Sequence, residues 1–253
     1  MRYRLLSLIL LLSVVFFTAF QAHATDLRAG ASKIDITHPN KKLVEIPLLA
    51  RALVLQSDQT TLVVVTMDVV SIGEIGSIPD DFQGNVRNRI VESLGIPARN
   101  IMFNASHCHG TPSPDSEDLT VKVIEQAYKK LEPATLRSSR AHEDRIQENR
   151  RMKLKDGSEI DVRHAYSLPP NKEILSTGPI DPEVGILRVD KSNGETLAVL
   201  FNFACHPIQG TPVSSGDTSD MTGYAARVIE DNLTPGTIAL FVQGCGGDIN
   251  PLA

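Results

Sequence analysis

Three apolar runs rich in β-branched and aromatic residues each stop abruptly at a polar tip, and their alternation with helical stripes restricts the chain to an α/β architecture. Asn100–Ala105 reads as a second buried strand and leads into Ser106-His107-Cys108-His109-Gly110, and Leu197–Ala204 leads into Cys205-His206-Pro207. Thr237–Val242 leads into Gln243-Gly244-Cys245-Gly246-Gly247-Asp248. Open α/β sheets hold ligands just beyond the carboxyl ends of their strands, so the pattern predicts three polar tips directed at one crevice.

The remaining periodicities fill in this scaffold. Leu27–Thr37 reads as an extended opening segment closed by His38-Pro39, and Thr61–Met67 as a strand covered on both faces. Phe82, Val86, Ile90 and Leu94 recur every four residues until Gly95 and Pro97 stop the stripe. Val121, Ile124, Tyr128 and Leu131 mark a second helix; Tyr224, Ala225, Val228, Ile229 and Leu233 mark a third. Val184–Val189 is a further strand, with a turn at Ser192-Asn193-Gly194. The first half is thus strand–helix–strand–helix with a parallel core. The fold class is α/β, a mixed, partly parallel β-sheet core flanked by helices, with a polar, hairpin-containing excursion in the middle. That excursion runs from Arg137 to Pro182, turns at Asp156-Gly157, and is broken at Pro169-Pro170 and Gly178-Pro179. It serves as a solvated cover, a lid or a substrate wall, and transient contact with a membrane surface is a further role open to it.

Composition bounds the function. The 253 residues suit one large domain or two small ones, and 42% hydrophobic content with 17 glycines and 15 prolines excludes a disordered or collagen-like chain. A net charge of −5 with no basic block argues against a nucleic-acid partner. Arg2 and Arg4, the apolar run Leu5–Phe20 and the small residues of Ala22-His23-Ala24 form a cleavable signal peptide over residues 1–24, predicting a secreted or periplasmic protein of residues 25–253. In that oxidising setting three cysteines leave at least one unpaired within the chain. They are small buried side chains, one disulfide with a spare, or thiolate ligands.

His107 and His109 are two apart, so in an extended segment both imidazoles project to one side. With His206 at another strand end they form a candidate zinc group, since a catalytic zinc takes three protein ligands and keeps one open position. His23 leaves with the signal, whereas His38, His142 and His164 fall in polar loops and are solvated. The glycine-rich turn at Gly244–Gly247 lacks the lysine of a phosphate-binding loop; it offers N–H groups to an oxyanion or is simply a tight turn. Asp248 orients a histidine, binds metal, acts as a base or caps the next turn. Asp68 reads foremost as a solvated or capping carboxylate. Arg150 and Arg151 are a solvent-facing pair unless the excursion folds over the crevice, where a guanidinium would hold a carbonyl oxygen or developing negative charge. Asn104-Ala105-Ser106 and Asn232-Leu233-Thr234 fit the glycosylation pattern, the first fortuitously.

Ala29-Gly30 with Asp35-Ile36-Thr37, Asn104–Pro112, Asn202–Pro207, Ser219-Asp220 with Gly223-Tyr224-Ala225, and Gly247-Asp248 with Pro251 together resemble, in order, the N-terminal catalytic domain of the neutral/alkaline non-lysosomal ceramidases. That resemblance implies zinc-dependent hydrolysis of the amide of an N-acyl lipid, the ceramide amide in the family. It implies His107 and His206 as zinc ligands and His109 as the group facing the scissile amide. Arg150 after Asn149 matches the family's arginine, with Arg151 the second choice. Ser219-Asp220 is similar to the start of a supporting helix rather than to a catalytic group. The family's serine is replaced by Asn250 in Gly247-Asp248-Ile249-Asn250-Pro251; an amide hydrogen-bonds but is no nucleophile. The family's other zinc ligands, a glutamate and a tyrosine, lie beyond this motif, so a fragment or a shortened relative with an incomplete metal site is expected.

The leading expectation is therefore a secreted zinc amidohydrolase in which water attacks, His109 or Asp248 moves protons, and Arg150 and Asn250 hold negative charge, acting on an N-acyl lipid or other small amide. A ceramidase-like lipid-binding or scaffold protein without turnover is the alternative. A metal centre built from Cys108, Cys205, Cys245 and histidine is the third.

Overall fold

The computed structural model describes residues 26–41, 46–162, 169–208 and 218–252. The expected signal peptide, with His23, and His164 lie outside the described residues. Among the described residues no helix is long and apolar enough to cross a membrane.

One sheet of eight strands organises the chain, in the order β12-β11-β10-β5-β1-β2-β3-β4. Its members are β1 (Arg28–Asp35), β2 (Leu49–Ser57), β3 (Thr60–Met67), β4 (Ile101–Ala105), β5 (Glu132–His142), β10 (Glu183–Lys191), β11 (Thr196–Phe203) and β12 (Ile238–Gln243). Helix α1 (Phe82–Leu94) carries the chain from β3 to its parallel neighbour β4, and α3 (Asp220–Asp231) carries it from β11 to its parallel neighbour β12. The pairs between them are antiparallel. The mixed, partly parallel sheet is as expected, but the parallel pairs lie at its two margins and the centre is antiparallel.

The sheet curls until β12 lies over β1, β2 and β3. Small and branched side chains fill the inside of the curl, among them Ala31, Leu53, Val189, Ala198, Ile238 and Leu240. On the outside, α1 and α2 (Ser116–Lys129) pack on β1–β4 through Phe82, Val86, Ile90 and Ile124, while α3 covers Phe201, Phe203 and Phe241. Burial on both faces explains the continuous apolar run of β3. Gly30 is required by this packing: a Cβ there would stand 2.1 Å from the Ala127 carbonyl oxygen of α2.

Three expectations need correction. β4 was expected as a buried strand, yet Met102 is exposed because β4 is an edge. The polar excursion was expected from Arg137, but residues through His142 belong to β5 and pair with β10 from Glu183↔His142 to Lys191↔Ala134. Most of β5 is solvent-exposed, which is why its composition mimics a loop and why His142, exposed as expected, sits on a strand. β2 carries no clear strand pattern because Arg51 interrupts its apolar residues. The excursion proper folds into two small sheets, β6 (Gln147–Asn149) with β13 (Ile249–Pro251), and β8 (Glu159–Asp161), β7 (Arg151–Leu154) and β9 (Ile174–Thr177). The β7–β8 hairpin turns at the predicted place, with Gly157 at φ 90°.

The two edges of the curled sheet are hydrogen-bonded to each other, among the described residues, through one side chain. Asn104 of β4 donates from Nδ2 to the Phe241 carbonyl (3.2 Å) and accepts at Oδ1 from the Gln243 N–H (3.1 Å) of β12. The amide is committed to this bridge, in keeping with a fortuitous glycosylation pattern. Replacing it, Asn104→Ala, should strand two partly buried backbone groups and lower stability by about 1–3 kcal/mol in chemical denaturation; an unchanged midpoint would show that the edges hold without it.

Candidate metal centre

Because β4 and β12 meet through Asn104, and β3 and β11 run parallel beside them, the carboxyl ends of all four strands gather at one end of the sheet. The predicted crevice forms there. Beyond β4 the chain folds back on the exit of β3: the N–H groups of Ser106 and His107 bond to the carbonyls of Met67 (2.9 Å) and Val69 (3.0 Å). His107 takes a left-handed backbone, φ 68°, an unusual and strained choice for a residue with a Cβ. Its Nδ1 lies 2.6 Å from the Val70 carbonyl oxygen. A carbonyl only accepts, so Nδ1 carries the proton and Nε2 keeps its lone pair for a ligand.

His206 is held by the same device. Its N–H bonds to the Ile249 carbonyl (2.8 Å), and Nδ1 lies 3.3 Å from the Gly246 carbonyl oxygen, leaving Nε2 for coordination. The ring centroids of His107 and His206 are 4.5 Å apart; His109 stands 5.5 Å from the first and 6.0 Å from the second. One ring nitrogen of each of the three lies within 4.8 Å of the others, so the group could hold a metal ion. Three imidazoles suit a borderline-soft divalent cation and leave a position open. Ligation requires neutral imidazoles. Burial, then the neighbouring His107 and the Arg150 charge, push His206 down to about 4. Burial and His107 also lower His109, opposed by Asp220.

In the glycine-rich turn two of the N–H groups are already spent on the backbone. The Gly244 N–H is used by the Phe203 carbonyl and the Gly246 N–H by the Gly244 carbonyl. A Cβ on Gly246 would stand 2.5 Å from Gln243 Nε2 and 3.1 Å from the Cys205 backbone, so glycine lets the turn close on β11 and deliver its carbonyl to His206. The turn orients the His206 imidazole.

Asp68 is neither solvated nor a simple cap. It is buried against Arg51 of β2 at 2.8 Å, with side-chain exposures of 2% and 3%, and the same oxygen accepts the Leu49 N–H. This pair fixes the exit of β3, whose next two carbonyls hold His107. Arg51 was missed by the sequence analysis; its one signal is a lone charge within an apolar run.

The excursion supplies the second wall of the crevice. The Arg150 N–H bonds to the Asp248 carbonyl and the Arg150 carbonyl accepts from Val162, so β6 and β13 bring Arg150 beside the histidines, where its charge acts on His206. Its Nε pairs with Asp161 at 2.9 Å. Arg151 is exposed and its Nε approaches Asp248 at 3.6 Å, so Arg150 is the arginine at the site. Asp248 is engaged by Arg151 and by Asn149 Nδ2 (3.3 Å), not by a histidine hydrogen bond. Asn250 donates from Nδ2 to the Val162 carbonyl (3.2 Å), which leaves its buried Oδ1 without a hydrogen-bond partner.

The cysteines do not form a thiolate centre. All three are free thiols; Cys108 and Cys205 are buried and pushed up to about 12, chiefly by burial, so they stay protonated, while Cys245 is exposed. Beside His109 a cleft of about 330 Å³ opens between Val69, Val70, Ile78 and Pro112. Asp220 is buried, and its charge acts on His109. Its element was matched, but its carboxylate was assigned only to a helix start.

This is an α/β scaffold with an imidazole cluster at its strand ends. No family model matches the sequence. Among solved structures, the chain shares its fold with neutral ceramidase from Pseudomonas aeruginosa at a TM-score of 0.69 and 21% identity, over 90% of this chain and 40% of that one. A ceramidase complexed with C2 matches equally, at 0.69 and 21%, over 90% and 39%. The chain therefore spans about two fifths of the length of these structures.

Two outcomes follow from the site. Asp68→Asn leaves the Arg51 charge buried without its partner and should cost about 3–5 kcal/mol, read by denaturant titration. His206 titrates at about 4 in the folded protein against 6.5 ordinarily, so the unfolded chain takes its proton first. Stability of the metal-free protein should thus fall as pH drops from about 6.5 to about 4, and His206→Gln should make that fall shallower. Identical pH slopes by calorimetry would contradict the burial assigned to this imidazole.

Proposed function

We propose that the chain is a secreted or periplasmic zinc amidohydrolase of the ceramidase type, acting on the N-acyl amide of ceramide or a related N-acyl compound. The observation that carries this reading is the convergence of His107, His206 and His109, two of them with Nδ1 fixed on backbone carbonyls, on a fold shared with neutral ceramidase. Those structures extend well beyond this chain, so the activity and substrate belong to the proposal.

His107 and His206 would hold the zinc through Nε2. When bound, zinc polarises a carbonyl or lowers the pKa of water toward neutrality. His109, the exposed member of the three, carries protons between the attacking water and the leaving amine. Arg150, set into the wall by Asp161 and the β6–β13 pairing, holds the carbonyl oxygen as negative charge develops. Asn250, proposed from the resemblance as a second holder of that charge, donates one Nδ2 hydrogen to the Val162 carbonyl and has the other to offer the developing oxyanion. Asp248 is tied to Arg151 and Asn149 and acts by fixing the wall that carries Arg150. The cleft beside His109 receives the acyl group, with Val70 and Ile78 against its methylenes.

Asn250 also favours a second reading, a lipid-binding protein without turnover, since a side chain that cannot form an acyl intermediate stands where the family has serine. Metal analysis with hydrolysis assays on ceramides and N-acyl amino compounds separates the two. The enzymatic reading expects stoichiometric zinc, loss of zinc in His107→Ala and His206→Ala, and a kcat lowered roughly 10²–10³-fold in Arg150→Gln. Stoichiometric zinc with lipid binding but no amide cleavage would leave the binding protein.

A further inference from the structure

The cleft beside His109 has a neighbour of the same size. A second cleft of about 330 Å³ reaches Phe82 at the start of α1. Ser77, Ile78, Thr111 and Pro112 line both spaces. Two short segments therefore stand between the clefts, and their apolar members, Ile78 and Pro112, are buried.

This partition is fixed from both sides. Pro112 forms an antiparallel bridge with Thr37, while the His38 N–H donates to the Thr111 carbonyl (3.1 Å) and the Ser113 N–H to the Ile36 carbonyl (2.6 Å). Ile78, 5% exposed, belongs to the apolar cluster that contains Phe82 and Val86. The loop before it is closed by Gly76 at φ 87°, where a Cβ would stand 2.6 Å from Val70 Cγ1. Of the two apolar members, Ile78 is the one whose side chain can be shortened without disturbing a backbone pairing.

The second cleft suits a hydrocarbon better than a headgroup, because its polar members are engaged within the protein. Glu117 accepts from Arg89 (3.2 Å) and Asn85 (3.1 Å), and Ser116 Oγ donates to the Ser113 carbonyl. Ser113 Oγ accepts the Asp115 N–H (3.2 Å), and His38 Nδ1 accepts the Asn40 N–H (3.2 Å). An entering hydroxyl or amine would compete with these bonds, whereas methylenes need no partner.

We propose that Ile78 sets the length of acyl chain the site accepts: with Pro112 it stops a saturated chain that enters beside His109, and the cleft at Phe82 is the space a longer chain would need. The proposal rests on the acyl-lipid reading above and adds a length class to it, chains that end at Ile78. Each buried methylene strengthens binding about fourfold, so affinity climbs with chain length until the terminal methyl meets Ile78 and then levels.

The test is competition of saturated fatty acids of increasing length against a fluorescent fatty acid, on the full chain, with a chelator present so that no carboxylate–metal contact contributes. In the unaltered protein affinity should rise about fourfold per methylene and then reach a plateau. Ile78→Ala should carry the rise to longer chains, and Ile78→Phe should bring the plateau to shorter ones. Adding His38→Trp to Ile78→Ala fills the second cleft and should return the plateau toward its original length, which separates passage into that cleft from general loosening. Ile78→Val trims the side chain less and guards against misfolding of the alanine variant; it should shift the plateau in the same direction. An unchanged plateau in every variant that retains its circular dichroism would overturn the role of Ile78 and leave the lipid site standing. If no fatty acid displaces the probe from the unaltered protein, the acyl-lipid reading falls and this inference with it.

Discussion

A curled sheet with two unpaired edges must join them or leave them open, and here the amide of Asn104 bridges them. Asn104 spends both ends of its amide on β12, donating to the Phe241 carbonyl and accepting from the Gln243 N–H. A continuous backbone ladder would have fixed the two edges rigidly along their length. One side-chain bridge near the carboxyl ends fixes them where it matters, because the next residues on each side lead to His107 and, through the turn after β12, to the carbonyl that orients His206. The imidazole cluster follows from how the sheet is closed.

The second layer of support is electrostatic, and it is costly. Arg51 and Asp68 are almost wholly desolvated, which is a weak source of net stability but a strong source of definition, since removing either partner strands a buried charge. Their service is to hold the exit of β3, whose carbonyls receive the backbone and ring of His107. A left-handed backbone at His107 costs on the order of 1–3 kcal/mol, and the hydrogen bonds to Val69 and Val70 offset it. On the other side of the crevice the excursion works as a wall: its pairing with β13 positions Arg150 near the imidazoles and turns Arg151 away toward Asp248.

Much of this was legible in the residues. The runs of β3, β11 and β12 were readable because both faces of the sheet are covered, and the stripe of α1 because one face packs while the other is wet. Candidate ligands were readable because His107, His109 and His206 stand where strands end. β5 was not, since it is exposed and its residues are those of a surface loop; β2 was not, since Arg51 breaks its pattern. The thiols illustrate the same limit: the sequence left them as ligands, bridge or core, and burial made Cys108 and Cys205 core.

By itself the sequence determined the alternation of strands and helices, the polar tips of three strands and the residue types that collect there, because periodicity and turn chemistry act over a few neighbours. Tertiary structure alone decided which tips meet, which ring nitrogen faces the crevice, which arginine reaches it, and that Asp68 and Asp220 are buried carboxylates rather than surface caps. Those outcomes depend on the curl of the sheet and on carbonyls from distant segments, and no local pattern in the chain encodes a desolvated neighbour.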